Sequence, residues 1–374
     1  MPQLPYVTLN VFTTQPLTSG NPLAVVTIPP STTISKTQEH LIAREFGYSE
    51  TIFIYPSSSL RPEQQNEGYT KIAIWTVLQE IPFAGHPTVG AGWYLGGEEK
   101  KEGELLIPAG RLKYEKDVDG RVRIDTPHKI TLWGRTVSRK RIGEIVGVPV
   151  EEFGGDEGDV FENSTVGVAR ANNVFESWVA NTTAAASSSS GSNDQSGGGW
   201  DVNGIPVVSI VDGMTFALVE VKSVSVLQAV KVGRKGVVLD MVTDLGATIP
   251  PGGRSFIGVY CYTILEETVQ DGVKGKIKIR SRMFFRGDGE DPATGSAACA
   301  LGSYLAIVKG SGEGGKGVGE WEFEVTQGVE MGRRSDIGVR VLLEDIADGG
   351  GKRGVKKVYL EGEAVKVMEG VLTI

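Results

Sequence analysis

Two short stretches constrain this 374-residue chain more than any other feature. AGHPTVGAGWYL (84–95) and TGSAACALGSYL (294–305) align without a gap, share Gly, Gly, Tyr and Leu, and set His86 opposite Ser296. Four identities in twelve positions carry little weight alone, because small residues recur by chance. The shared order carries more: a small-residue loop, a helix start, then Tyr-Leu. It predicts that the two halves are distant copies of one unit. Two such helix N-termini meeting across a cleft would present unpaired N–H groups and positive dipole ends to an anion. A carboxylate is the simplest guest.

The bulk properties agree with a two-part globular chain. Its length is generous for one core, and 40% hydrophobic with 22% charged residues supplies ordinary apolar content. A net charge of −8 argues against a nucleic-acid partner, which would want a basic face. It leaves room for a local positive pocket. No apolar run reaches the ~20 residues that span a bilayer, so no membrane partner is expected. The opening MPQLPYVTLNVFTT has no basic region followed by an apolar stretch, so it does not read as a signal peptide. Cys261 and Cys299 give neither a disulfide framework nor zinc spacing, and a cytoplasmic setting without a metal is expected.

Along the chain, YVTLNVFT (6–13) and LAVVTI (23–28) read as paired strands across the turn TSGNP. Ser35 and Gln38 form a capping box for a helix carrying Leu41, Ile42 and Phe46 on one side, and Gly47 reads as its C-terminal stop. TIFIYP (51–56) is the next strand, which leaves Tyr48-Ser49-Glu50 in the joint between rigid elements. YTKIAIWT (69–76) is another strand, and Pro87 reads as the first position of the helix that follows. RVRIDTP (121–127) is a strand, with a domain crossover near Pro127. TVSRKRIGEIVGVP reads as a helix, and NTTAAASSSSGSNDQSGGG (181–199) has too little apolar content to fold. VNGIPVVSIVDG, GMTFALVEV and FIGVYCYTIL restore strand patterning. Neither a nucleotide fingerprint nor HEXXH or GxSxG is visible.

On residue type alone, Glu50 reads as a solvated loop carboxylate. His86 reads as a cap at a helix start, Asp291 and Ser296 as helix caps, and Asn21 as a turn residue without a substrate contact. Five blocks in fixed order change the weighting: SGNPLAVV (19–26), GYSETIFI (47–54), EIPFAGHPTVGAG (80–92), EDPATGSAA (290–298) and QGVEMGR (327–333). Together they resemble the PhzF family of phenazine-biosynthesis-like proteins. Residues 130–250 match that pattern poorly.

The resemblance implies an α+β, diaminopimelate-epimerase-like fold: two pseudo-symmetric lobes, each a curved mixed sheet wrapped around a central helix, with the site between them. It divides the chain into an N-terminal lobe at 1–127, which residues near 364–374 could complete, and a C-terminal lobe at 128–363 carrying a flexible insert at 181–199. It implies a cofactor-independent isomerase and a homodimer. In its terms Glu50 moves a proton between carbons of a small conjugated carboxylate, and His86 contacts substrate and orients protons. Asp291 holds a polar group or tunes the histidine, Ser296 binds the carboxylate, and Gly85 and Gly295 let backbone approach the ligand. A base that returns its proton needs a pKa raised toward neutrality, which burial provides.

The same fold serves two-cysteine epimerases, whose thiols precede the glycine-polar pair of each loop. Here Ala84 and Ala293 or Thr294 stand in those places, so single-base chemistry is the expectation. Two departures bear on substrate. Ala73-Ile74-Trp75-Thr76-Val77 stands where the family often has R-I-F-T-P, and the segment from Phe284 to Gly289 is shorter than usual, with Arg286 as a candidate anion contact. A non-catalytic small-anion-binding protein that retains the cleft is the alternative.

Overall fold

The computed structural model describes residues 2–56, 68–97, 102–133, 136–154, 204–231, 239–240, 242–245, 256–270, 273–285, 289–310, 318–345 and 353–374. The 181–199 tract and Arg286 lie outside these residues.

The first half runs β1 (Gln3–Val11), β2 (Asn21–Thr27), α1 (Lys36–Phe46), β3 (Glu50–Ile54), β4 (Tyr69–Trp75) and α2 (Gly85–Gly96). It continues with β5 (Glu102–Ile107), β6 (Gly110–Lys116), β7 (Val122–Asp125), β8 (Thr131–Leu132) and α3 (Arg139–Val146). The second half runs β9 (Val207–Val211), β10 (Met214–Glu220), α4 (Val224–Ala229), β11 (Phe256–Gln270), β12 (Lys274–Phe285), β13 (Gly289–Asp291) and α5 (Gly295–Gly310). It ends with β14 (Glu320–Gln327), β15 (Ser335–Asp345), β16 (Arg353–Gly362) and β17 (Ala364–Thr373).

The strands form a mixed sheet system. β1 and β2 pair antiparallel, β2 and β3 parallel, β3 and β4 antiparallel. In the second half β10 and β11 are parallel, β11 and β12 antiparallel, and β12 and β14 parallel. Two long-range pairings join the ends of the chain to its beginning: β17 lies antiparallel to β1, and β16 antiparallel to β7.

α2 packs against β1, β2, β3, β5, β6, β7, β16 and β17, α5 packs against β9, β10, β14, β15 and β16, and the two helices also meet each other. Both helices are buried around nearly their whole circumference. Their composition explains this, since a helix of small and apolar residues on every face has no side to give to water. Among the described residues no helix is long and apolar enough to cross a membrane.

Local signals set several boundaries. Ser35 and Gln38 make both bonds of the capping box, and Gly47 stops α1 in the left-handed conformation at φ 65°. Two expectations shift. The buried face of α1 is Glu39, Ile42 and Ala43, while Leu41 is 55% exposed. The carboxylate of Glu39 lies inward because Trp75 Nε1 donates to it at 2.6 Å, Lys36 Nζ at 3.0 Å, and the Tyr55 hydroxyl also donates. Pro87 is the third helical residue, because α2 begins at Gly85. The position tolerates proline as well as the first would, since any N–H in the first turn lacks an intrahelical partner.

Candidate active site

Four elements deliver the polar side chains to one place. Gly47 turns the chain out of α1 and straight into β3, whose first residue is Glu50, opposite Leu23 of β2. His86 and Ser296 are each the second residue of their helices, α2 and α5, as the internal repeat predicts. Asp291 is the last residue of β13.

The two helix starts touch directly. A Cβ added to Gly85 would lie 2.7 Å from the Gly295 Cα, and one added to Gly295 would lie 3.1 Å from the Gly85 Cα and 2.8 Å from Leu360 Cδ2. Their missing side chains make room for the opposite helix, a reason that sequence reading did not give, and both residues border the cavity.

The cavity has a volume of about 140 Å³, close to the ~150 Å³ apolar cavity that accepts a benzene ring. Glu50, His86, Asp291, Ser49 and Ser296 are among its polar lining residues, with Thr76, Gln79 and Thr294 beside them. Ile81, Leu78, Met214, Phe256, Met283 and Phe285 supply an apolar wall. Ala84, Ala293 and Thr294 border it too, so no thiol stands before either glycine-polar pair. Cys261 and Cys299 are buried elsewhere, and burial pushes each thiol up to about 12. Among the described residues, no group of three or more His, Cys, Asp or Glu side chains is placed to hold a metal ion.

Asn21 is the residue that sequence reasoning passed over. Its Nδ2 donates to Asp291 Oδ1 at 2.8 Å and to the Ala293 carbonyl at 3.0 Å, and lies 3.3 Å from His86 Nδ1. Its Oδ1 accepts from Ser49 Oγ at 3.1 Å. A turn residue by local sequence is therefore the hub of the site. The clue was its position in SGNP, one of the five quoted blocks. Asp291 does not bond the histidine; Asn21 stands between them. The second carboxylate oxygen, Asp291 Oδ2, accepts from Thr294 Oγ1 at 2.5 Å.

Two atoms are left over. Glu50 Oε2 and His86 Nε2 are buried without a hydrogen-bond partner, and Glu50 Oε2 sits 3.4 Å from His86 Nδ1. Burial, followed by the charge of Asp291, lifts Glu50 to about 8. Asp291 is also raised by burial, less far because Thr294 and Asn21 donate to it. Burial lowers His86 to about 3, so its ring is neutral and can donate or accept one hydrogen bond.

A model of the PhzC-PhzF family, described as phenazine biosynthesis-like protein, matches residues 9–139 and 259–370. The chain belongs to the PhzC-PhzF family. An uncharacterized isomerase of Mesorhizobium japonicum is 28% identical over 381 residues, which cover 99% of this chain and 98% of that protein. Trans-2,3-dihydro-3-hydroxyanthranilate isomerase of Pseudomonas aeruginosa is 38% identical over 97 residues, 26% of this chain and 31% of that enzyme. Among solved structures, a PhzF-family phenazine biosynthesis protein of Bacillus anthracis superposes with a TM-score of 0.64 at 20% identity, covering all of both chains. A PhzF-family protein of Enterococcus faecalis does so at 0.57 and 14%, again over both whole chains. At those identities the superpositions speak for the fold alone. The isomerase names of the relatives agree with an enzyme reading of this PhzC-PhzF member, and its unmatched segment, 140–258, includes the tract that sequence reading set apart.

Proposed function

We propose that this chain is a cofactor-independent isomerase that moves a proton between two carbons of a small conjugated carboxylate bound between two pseudo-symmetric halves. The observation that carries the proposal is that Glu50 and His86, each with a buried polar atom lacking a hydrogen-bond partner, both line one ring-sized cavity. Thr8 Oγ1, Thr51 Oγ1 and Ser303 Oγ are buried without a partner too; Glu50 and His86 differ in lining a cavity, where a bound substrate would supply the missing bonds.

In this reading Glu50 acts in its ionised form and takes a proton from a carbon next to the conjugated system. The bonding electrons spread toward the substrate carboxylate. That carboxylate faces Ser296 and the first N–H groups of α5, whose positive helix end suits growing negative charge. Protonated Glu50 then delivers a proton to a different carbon on the same face, which restores the base. The raised pKa of Glu50 suits both halves of the cycle, since a base near neutrality can take a proton and give it back. Neutral His86 orients the substrate through Nε2. Asp291, held by Asn21 and Thr294, keeps negative charge near Glu50 and so makes it more basic. The apolar wall from Met214 to Phe285 favours a substrate whose body is uncharged. A homodimer is proposed with the same family in mind, and light scattering tests it.

Turnover of trans-2,3-dihydro-3-hydroxyanthranilate and of simpler cyclic and open-chain dienyl carboxylates, followed by ultraviolet absorbance, tests the proposal. Loss of the conjugated chromophore with the native chain, and none with Glu50→Gln, is expected. Equal rates in the two proteins would overturn the role of Glu50. Saturable binding of these carboxylates without any turnover would favour the anion-binding alternative.

A further inference from the structure

The block QGVEMGR carried recognition in the sequence but no role. In the structure it is the turn between β14 and β15, and it reaches both sides of the site.

Its first residue, Gln327, is fully buried and holds the Asp291 side. Gln327 Nε2 donates to the Asp291 carbonyl at 2.7 Å and to Thr294 Oγ1 at 3.0 Å. Its Oε1 accepts from the Thr294 N–H at 3.2 Å and from the Tyr260 hydroxyl at 3.2 Å. Thr294 Oγ1 passes this on, donating to Asp291 Oδ2.

Its last residue, Arg333, crosses to the first half of the chain. Nε donates to the Gly20 carbonyl at 2.9 Å, and Nη2 to the Ser19 carbonyl at 3.0 Å and to Asn10 Oδ1 at 2.9 Å. The Gly20 N–H donates back to the Arg334 carbonyl at 2.9 Å. These bonds seize the segment just before Asn21. That segment needs holding: Phe12 and Leu17 both adopt positive φ, 65° and 74°, a conformation that strains an L residue and persists only where its surroundings enforce it.

The turn itself is closed and anchored. The Arg333 N–H donates to the Gly328 carbonyl at 2.9 Å, and Glu330 pairs with Arg280 of β12 at 2.7 Å. Gly328 sits at φ 75°, where a Cβ would lie 2.5 Å from both the Arg333 and the Pro292 carbonyl oxygens. No other residue fits there.

We infer that Gln327 and Arg333 are positioning residues: the turn they bracket fixes Asn21 against Asp291, and through that bond sets the protonation behaviour of the site. The inference rests on the proposed assignment of Asp291 to the active site, but its test needs no substrate. The charged and titratable groups facing Asp291 are Glu50 from β3, His86 from α2, Tyr260 from β11, and Glu290 on its own strand. Arg282 of β12 pairs with Glu290 at 2.8 Å. None of these is touched by Arg333, so a change at Arg333 reaches Asp291 through what Arg333 holds: the segment before Asn21, or the turn that carries Gln327; a double variant that shifts beyond Asn21→Ala would report the Gln327 route.

The experiment is a carbon-13 NMR titration of the aspartate carboxyls, with Asp291 assigned by its loss in Asp291→Asn. Asn21→Ala, Arg333→Met and the double variant are titrated beside the native chain. A hydrogen bond to a charged group contributes about 1.5–3 kcal/mol, so its loss should raise the proton affinity of Asp291 roughly tenfold to a hundredfold. Arg333→Met should reproduce most of the shift seen in Asn21→Ala, and the double variant should shift no further, because both act through one bond. Arg333→Lys keeps the charge but loses the fork, and should fall between native and Met. If Arg333→Met cannot be folded, that intermediate shift carries the test. An Asp291 titration that moves in Asn21→Ala but not in either Arg333 variant, with only a lowered melting temperature, overturns the inference and leaves the active-site reading standing.

Discussion

At the scale of single residues, the site is built from side chains that folding alone would not choose. Glu50 is held at about 8 mainly by burial, against about 4.3 for a free glutamate. Between those two values the folded chain keeps a proton that the unfolded chain has released, so stability falls as pH rises through that window. Glu50→Gln removes this cost. The variant is expected to melt above the native chain at pH 8.5, with the difference shrinking toward zero near pH 4, which calorimetry across pH would read. His86 has the opposite sign. Its folded value of about 3 lies below the free value of 6.5, so the unfolded chain binds the extra proton and stability drops as pH falls below 6.5 toward 3. His86→Ala is expected to keep the native circular dichroism spectrum and lower turnover by roughly 10²-fold through lost positioning; an unfolded variant would mean that the ring is structural. Asn21 shows the limit of local reading. Its residue type and neighbours describe a turn, whereas it opens β2 opposite Val11, and its partners Asp291 and Ala293 lie some 270 positions away, where no local pattern records them.

At the scale of elements, much was legible because the signals are local physics. The capping box of α1, the left-handed Gly47 and the alternating strands stand where propensity and steric argument put them. The buried face of α1 was not legible, since it turns on a carboxylate that three donors draw inward, one of them from Trp75 where the family often has phenylalanine. The paired helix starts were legible as a repeat but not as a contact. Their closeness makes a sharp prediction. Gly85→Ala places a methyl group 2.7 Å from a backbone carbon of Gly295 and 2.9 Å from Leu360 Cδ2. One of the helices must move, which should cost roughly 1–3 kcal/mol in urea denaturation and reduce turnover together with stability. Unchanged stability would show that the helix starts are not fixed against each other.

At the scale of the whole molecule, the repeat, the shared cavity and the crossing of the C-terminal strand belong to one design. β17 returns to pair with β1 along its length, from Gln3 opposite Thr373 to Val11 opposite Ala364. Removing residues 364–374 would leave β1 as an open edge beside β2, and a lower melting temperature with loss of turnover is expected. A truncated chain that melts like the native one would place β17 outside the cooperative core. These pairings are long-range, and the sequence reached no further than an N-terminal lobe that residues near 364–374 could complete, by family resemblance. The proton-transfer claim spans all three scales, because it needs Glu50, both helix starts and both halves in place. Its most direct measurement is deuterium incorporation: the chain is incubated in deuterated water with trans-2,3-dihydro-3-hydroxyanthranilate, and carbon-bound deuterium is followed by NMR beside Glu50→Gln. The account predicts isomerised product with deuterium at the newly protonated carbon wherever Glu50 exchanges with solvent before returning its proton, and neither product nor deuterium in the variant. Isomerisation at the native rate by Glu50→Gln would contradict it.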